Sequence, residues 1–272
     1  MTSFRGTLVV AAPCNEGLVV SADSLSTTEN GMAVPSLPKL QMVAGKPDIV
    51  ITVTGFGAWF PPTPAGKKAG EWMRESSPMF SVEASVRSEI EAMGDQFKEL
   101  DQLDAIAKSV ALKMQAFLET VGRIGMYTGK KICTLEVFRY EVSTKTSTRF
   151  RCVFAISPKP PVGVFESAVG KVTPDAAFNL WTAGEVEYAN QHIFSIGSVG
   201  MSKLRTLLDG FNPFALKVSE ITKERAALAC EATISAAEHA TKTVPAPSHI
   251  GGKPLTWFLN GTDMPTHVSP SK

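Results

Sequence analysis

Two runs near the start of the chain, TLVVAA (residues 7 to 12) and LVVSA (residues 18 to 22), are rich in β-branched and small apolar residues. They are separated by PCNEG, whose Pro, Asn and Gly favour a turn, so the pattern predicts a β-hairpin whose first strand begins at Thr7. KLQMVA and IVITVT, joined through GKPD, repeat the motif. After GFGAW comes PPTPAGKKAG, a Pro- and Gly-rich surface connection. From Val82 to about Leu100 and from Leu103 to about Ile124 the apolar residues return every three or four positions, as Ile106, Val110, Met114, Phe117 and Val121 do, which predicts two amphipathic helices.

ICTLEVFRYEV and RFRCVFAI, linked by STKTST, predict a second hairpin, and the Pro/Gly-rich residues from Ser157 to Pro174 predict a long loop. NQHIFSIGSVG reads as a strand entering a glycine turn, MSKLRTLLDG as a short helix ending at Gly210, and Lys223 to about Thr241 as an Ala-rich helix that Ser219 or Thr222 caps. Leu255 to Leu259 reads as a closing strand. Strands, two helices, strands, two helices and a strand are satisfied by an α+β fold, a four-layer αββα sandwich in which each helix pair covers an apolar face of one of two antiparallel sheets.

At 272 residues with 44% hydrophobic content, the chain is long enough for one large domain with a substantial core. A net charge of +1 gives no electrostatic reason to expect nucleic acid or an anionic membrane as partner. Cys14, Cys133, Cys152 and Cys230 form no CxxC or Cys/His cluster, and the four histidines have no metal-site spacing, so buried reduced thiols and no metal are expected. There is no signal-peptide pattern and no apolar run of membrane-spanning length, which places the expected location in the cytoplasm.

The chemistry lies in the first hairpin. A threonine hydroxyl becomes a useful nucleophile when a base takes its proton, and the free amine of an N-terminal threonine is such a base. That arrangement also calls for a cation beside the hydroxyl, a carboxylate to hold the cation, and a backbone N–H for the oxyanion. Thr7 follows Gly6; Asp23 lies at the end of the second strand and Lys39 at the start of the third. Alone, each is an ordinary strand or surface residue, and the three gain meaning only together.

GTLVVAAPCNEGLVVSADSLSTTENGMAVPSLPKL resembles the start of a proteasome β-type subunit or bacterial proteasome homologue, an N-terminal-nucleophile (Ntn) hydrolase. The resemblance implies the Ntn form of the αββα sandwich, with Thr7 as nucleophile, Asp23 and Lys39 as its charged partners, Gly55 as oxyanion donor and Thr27 as the residue whose backbone pairs with substrate. IFSIGSVG is similar to the family's glycine-serine turn and places Ser198 near the nucleophile's amine. Two departures stand out: Leu8 follows Thr7, and the loop TVPAPSHIGGK carries no Asp, leaving Ser248 as its hydroxyl.

The resemblance further implies a propeptide over residues 1–6 released by self-cleavage after Gly6, a single domain over 7–262, a flexible tail over 263–272, and a threonine peptidase without cofactor. Its expected partners are further copies of itself in a homo-oligomeric ring or double ring, a peptide or unfolded protein as substrate, and any ATPase as a separate chain. The helices around residues 82–124 and 224–241 are the expected ring contacts. A catalytically silent scaffold subunit and a small-molecule amidase on the same fold remain open alternatives.

Overall fold

A computed structural model describes residues 2–5, 7–28, 33–34, 39–156, 162–184, 186–243 and 250–270. In chain order its strands are β1 (Thr2–Arg5), β2 (Leu8–Cys14), β3 (Gly17–Ala22), β4 (Ser26–Thr28), β5 (Ala33–Val34), β6 (Gln41–Val43), β7 (Lys46–Gly55), β8 (Ala58–Phe60), β9 (Phe80–Ser81), β10 (Lys131–Glu141), β11 (Thr146–Ile156), β12 (Val162–Val172), β13 (Trp181–Gly184), β14 (Leu255–Leu259) and β15 (Thr266–His267). The helices are α1 (Ala69–Glu75), α2 (Val82–Met93), α3 (Gln102–Thr120), α4 (Ile124–Tyr127), α5 (Val186–Ala189), α6 (Val199–Leu208) and α7 (Lys223–Thr243).

Two antiparallel sheets face each other. One has the order β13-β2-β3-β14-β15 and is covered by α6 and α7; the other has the order β12-β11-β10-β7-β6 and is covered by α2 and α3. A third, smaller set, β5-β4-β1-β8-β9, lies beside them. Every residue of β2 and β3 is buried, because both faces are covered. Leu8, Val10 and Ala12 face the helices, whereas Val9 and Ala11 meet Val20, Val50, Phe138 and Trp181 between the sheets. That double burial explains why these strands read as continuous apolar runs rather than alternating ones.

The helices follow the same logic. Val82, Val86 and Ile90 on α2, and Leu103, Ile106, Val110, Met114 and Leu118 on α3, form the stripes that meet Ile49, Ile51, Leu135 and Phe150 of the underlying sheet. Ser81 caps α2 by accepting a hydrogen bond from the Ala84 N–H (3.2 Å). On α7 the buried face is mostly alanine, so the helix lies close against β2 and β3.

Three stretches differ from the sequence-based expectation. Residues 162–172 form a long strand, β12, paired with β11 along its length; its glycines and the prolines before it read as loop, but the partner strand decides the conformation. Residues 190–194 continue α5 as a π-turn instead of forming a strand, since Ala189 and Ile193, four apart, and Tyr188, five before Ile193, bury one side of a helical turn. A strand also precedes Thr7: β1 pairs with β4 and with β8. Among the described residues no helix is long and apolar enough to cross a membrane.

All four cysteines are buried and unbridged. Burial pushes the thiols up, to about 12 for Cys14 and Cys152. The folded protein should therefore resist iodoacetamide at pH ~8, where an ordinary exposed thiol reacts, and the unfolded chain should take up label at all four. Mass spectrometry of alkylated native protein checks this, and rapid native labelling of any of the four would contradict the packing.

Candidate active site

Asp23 closes the β2–β3 hairpin. Its N–H donates to Leu8 O (3.1 Å), and its Oδ1 accepts from the Leu8 N–H (2.8 Å), so the residue directly after Thr7 is held twice. The same Oδ1 accepts from Lys39 Nζ at 2.7 Å, and Oδ2 accepts from the Gly251 N–H at 3.2 Å. Lys39 Nζ also donates to Leu25 O, and the Leu25 N–H donates to Gly251 O (3.0 Å). One carboxylate thus joins the end of β2, the approach to β6 and the loop after α7.

Thr7 and Lys39 are each 7% exposed and Asp23 is 1% exposed. Burial pushes the Asp23 carboxyl upward and the Lys39 ammonium downward, and each partner works against the other's displacement. A desolvated cation favours the anionic over the neutral form of any hydroxyl next to it, and a low-dielectric site strengthens that bias.

The other candidate residues occupy different parts of the fold. Gly55 ends β7 with φ +89, opposite Cys133 of β10. A Cβ there would lie 2.7 Å from Ile132 O, so the close strand approach calls for glycine. Thr27 lies in β4, where its backbone is paired with Arg5 of β1. Ser198 is the N-cap of α6: its hydroxyl accepts from the Met201 N–H (3.1 Å) and donates to Ile193 O (3.4 Å). Gly6 and Ser248 lie outside the described residues.

Sequence reasoning missed three backbone contributors: Leu25, Gly251 and Gly184. Gly184 has φ +90, and a Cβ on it would sit 1.7 Å from the Thr7 carbonyl oxygen and 3.4 Å from Thr54 Cγ2. Thr7, the end of β13 and the residue before Gly55 therefore meet at one point on the seam between the sheets. Only the glycine in TAGE hinted at it, and a glycine in a short strand is a weak signal.

Two antiparallel sheets layered between helices, with a threonine at the head of a central strand, define the architecture. The fold is a four-layer αββα sandwich. No family model and no curated protein matches the chain. Among solved structures it is similar to Anbu (ancestral beta-subunit) from Yersinia bercovieri, at 10% identity over 96% of this chain and 87% of that one, with a TM-score of 0.48. It is also similar to an Anbu (Gly-1) mutant from Hyphomicrobium sp. strain MC1, at 13% identity over 98% and 89% of the two chains, with a TM-score of 0.47.

The expectation of a proteasome β-type subunit or bacterial proteasome homologue is corrected by these findings. These two solved structures are of Anbu proteins, at identities that establish no membership. The spacing of Asp23 and Lys39 reflects how the first hairpin and the approach to β6 bring these two side chains together, which does not specify a family.

Gly184→Ala should disturb this seam directly. The left-handed backbone costs a non-glycine residue about 1–3 kcal/mol, and the added methyl must displace the Thr7 carbonyl. A lowered urea midpoint of at least that equivalent is expected, and a midpoint equal to the parent's would show that the seam yields without cost.

Proposed function

We propose that this protein is an N-terminal-threonine peptidase, in which Thr7 is exposed by cleavage after Gly6 and then hydrolyses peptide bonds of extended substrates. The observation that carries the proposal is the position of the buried Asp23–Lys39 pair, whose carboxylate is hydrogen-bonded to the backbone of the residue beside Thr7. A surface ion pair would contribute ~0–1 kcal/mol and carry no such meaning; this one is desolvated, and its carboxylate is bonded to the residue after Thr7, which supports a role in lowering that threonine's pKa.

In the first turnover the Thr7 hydroxyl attacks the Gly6 carbonyl carbon. The Gly6–Thr7 amide becomes an ester on Thr7 Oγ, and water hydrolyses that ester, releasing residues 1–6 and leaving a free α-amine. In later turnovers this amine takes the Oγ proton as Oγ attacks the substrate carbonyl, and the Gly55 N–H receives the oxyanion. The leaving amine takes a proton from the Thr7 ammonium, and water then attacks the acyl-ester. Lys39 lowers the cost of the developing alkoxide, and Asp23 keeps Lys39 in place. Ser198 enters through the α6 cap beside residues 190–194.

The placement of β1 supports a peptide over a small amide. Residues 2–5 lie antiparallel to β4 (Arg5↔Thr27) and to β8 (Ser3↔Trp59), immediately upstream of the bond to be cut. A substrate strand replacing β1 finds backbone partners on both sides, Thr27 among them.

Intact mass should show the loss of residues 1–6 in the parent and their retention in Thr7→Ala. On short acyl-peptide reporters Thr7→Ala should be inactive, while Lys39→Ala should lose about a hundred- to a thousandfold in rate. Asp23→Asn should lose less, because Lys39 is still present but poorly held. Parent-like turnover by Thr7→Ala, or an active chain that keeps residues 1–6, would overturn the proposal. Activity should also fall as the pH drops through ~8, because an α-amine with an ordinary pKa of ~8 becomes protonated and ceases to be a base. A flat profile from pH ~5 to ~8 would exclude the amine from that role.

A further inference from the structure

The second sheet has an open outer edge. β12 pairs with β11 from Ser147↔Val172 to Ile156↔Val162, and among the described residues no strand lies on its other side. Residues 165–171, FESAVGK, are all exposed, with Phe165 at 54% and Val169 at 45%. A slip in register between Val153 and Phe154, opposite Glu166 and Val164, turns Phe165 out of the ladder. Edge strands are ordinarily kept short, or interrupted by proline or by charge at their centre. β12 runs for 11 residues, and its described charges, Glu166 and Lys171, leave Ser167, Ala168 and Val169 at its centre uncharged.

We propose that this edge pairs with the same edge of a second copy of the chain, antiparallel about a two-fold axis through Ser167. The residue order is self-complementary in that register. Phe165 of each copy stands opposite Val169 of the other, so the two exposed apolar side chains cover one another twice. Glu166 meets Ala168, Lys171 meets Gly163, and no like charges of β12 are opposed; Asp104 of α3, which reaches Ser167 at the axis, is paired with Lys108 (2.6 Å). Centring one residue earlier sets Glu166 against itself, and centring one residue later sets Phe165 against Lys171. Pairing about Ser167 also keeps the helix-covered faces of both copies on the same side, so the two second sheets become one continuous sheet. The contact is isologous and closes on itself, as a two-fold interface must.

The test uses the full chain and two double variants that carry the same number of new charges. Phe165→Glu with Val169→Glu places like charges across both cross-strand pairs, so the particle mass by sedimentation should fall to half the parent's. Phe165→Lys with Val169→Glu places opposite charges across both pairs and should restore the parent mass. In the parent, amide exchange over residues 165–169 should be at least about tenfold slower at tens of micromolar than at high dilution. A monomeric parent with freely exchanging β12 amides overturns the proposal. So does a Glu/Glu variant that keeps the parent mass, or a Lys/Glu variant that stays dissociated with the Glu/Glu one. Protection at every concentration that disappears only when a co-purifying peptide is removed would assign the edge to a foreign strand and overturn it too.

Discussion

The carboxylate of Asp23 is the point on which the rest of the structure turns. Removing a carboxylate and an ammonium from water costs several kcal/mol per ion, and their mutual attraction offsets this only when the remaining hydrogen-bonding capacity is also used. Asp23 meets that condition, with Lys39 and Leu8 on one oxygen and Gly251 on the other. Lys39 meets it through Leu25 O as well. The partners come from the first hairpin, the approach to β6 and the loop after α7, so one buried pair aligns segments that are far apart in sequence. Truncating either partner would strand the other's charge in the interior, which makes the arrangement effectively all-or-none.

The seam between the sheets is built in two halves. Along β7, Val50, Thr52 and Thr54 point into it, and their partners on β10 are Phe138, Glu136 and Thr134. The layer therefore passes from apolar to polar in the direction of Gly55. In the polar half the fully buried Glu136 accepts from Arg149 Nε (2.6 Å) and Nη2 (2.8 Å), and Nη2 donates also to Thr182 O (2.8 Å). Burial pushes Glu136 upward while Arg149 opposes it. This second ion pair ties β13 to the opposite sheet two residues before Gly184, which abuts Thr7. Apolar packing supplies cohesion at one end of the seam, and at the other the directional bonds come from Arg149, while the buried Thr52 and Thr134 hydroxyls make none.

What could be read in the sequence follows from how local each decision is. The hairpin was legible because its turn fixes the register from Cys14↔Gly17 to Val9↔Ala22, and that register carries Asp23 to Leu8. The helices on the second sheet were legible because a buried stripe repeats within a few residues. β12 was not, since its strand conformation depends on β11, and residues 190–194 were not, since two adjacent apolar residues fit a strand as well as a helical turn. Gly184, Gly251 and Leu25 contribute backbone contacts to distant segments, and no residue-type pattern announces such a role. Lys39 was found by its place at the start of the third predicted strand and by the resemblance, and its bonds to Asp23 and Leu25 are set only once the chain has folded.

Unpaired backbone is the constraint that links β1 and β12. Between β4 and β8 the vacancy is filled by the chain's own residues 2–5, which are tethered and so enjoy an effective concentration of the order of millimolar over any free peptide. A free substrate competes poorly while that tether lasts. On the proposed mechanism, the cleavage that creates the amine base also removes the tether, so nucleophile and binding edge become available in a single event and neither is exposed without the other. At β12 no segment of the described chain fills the edge, and the residues there are ordered so that a second copy does. On the two proposals together, the same hydrogen-bonding demand is met intramolecularly where the occupant has to leave and intermolecularly where it has to stay.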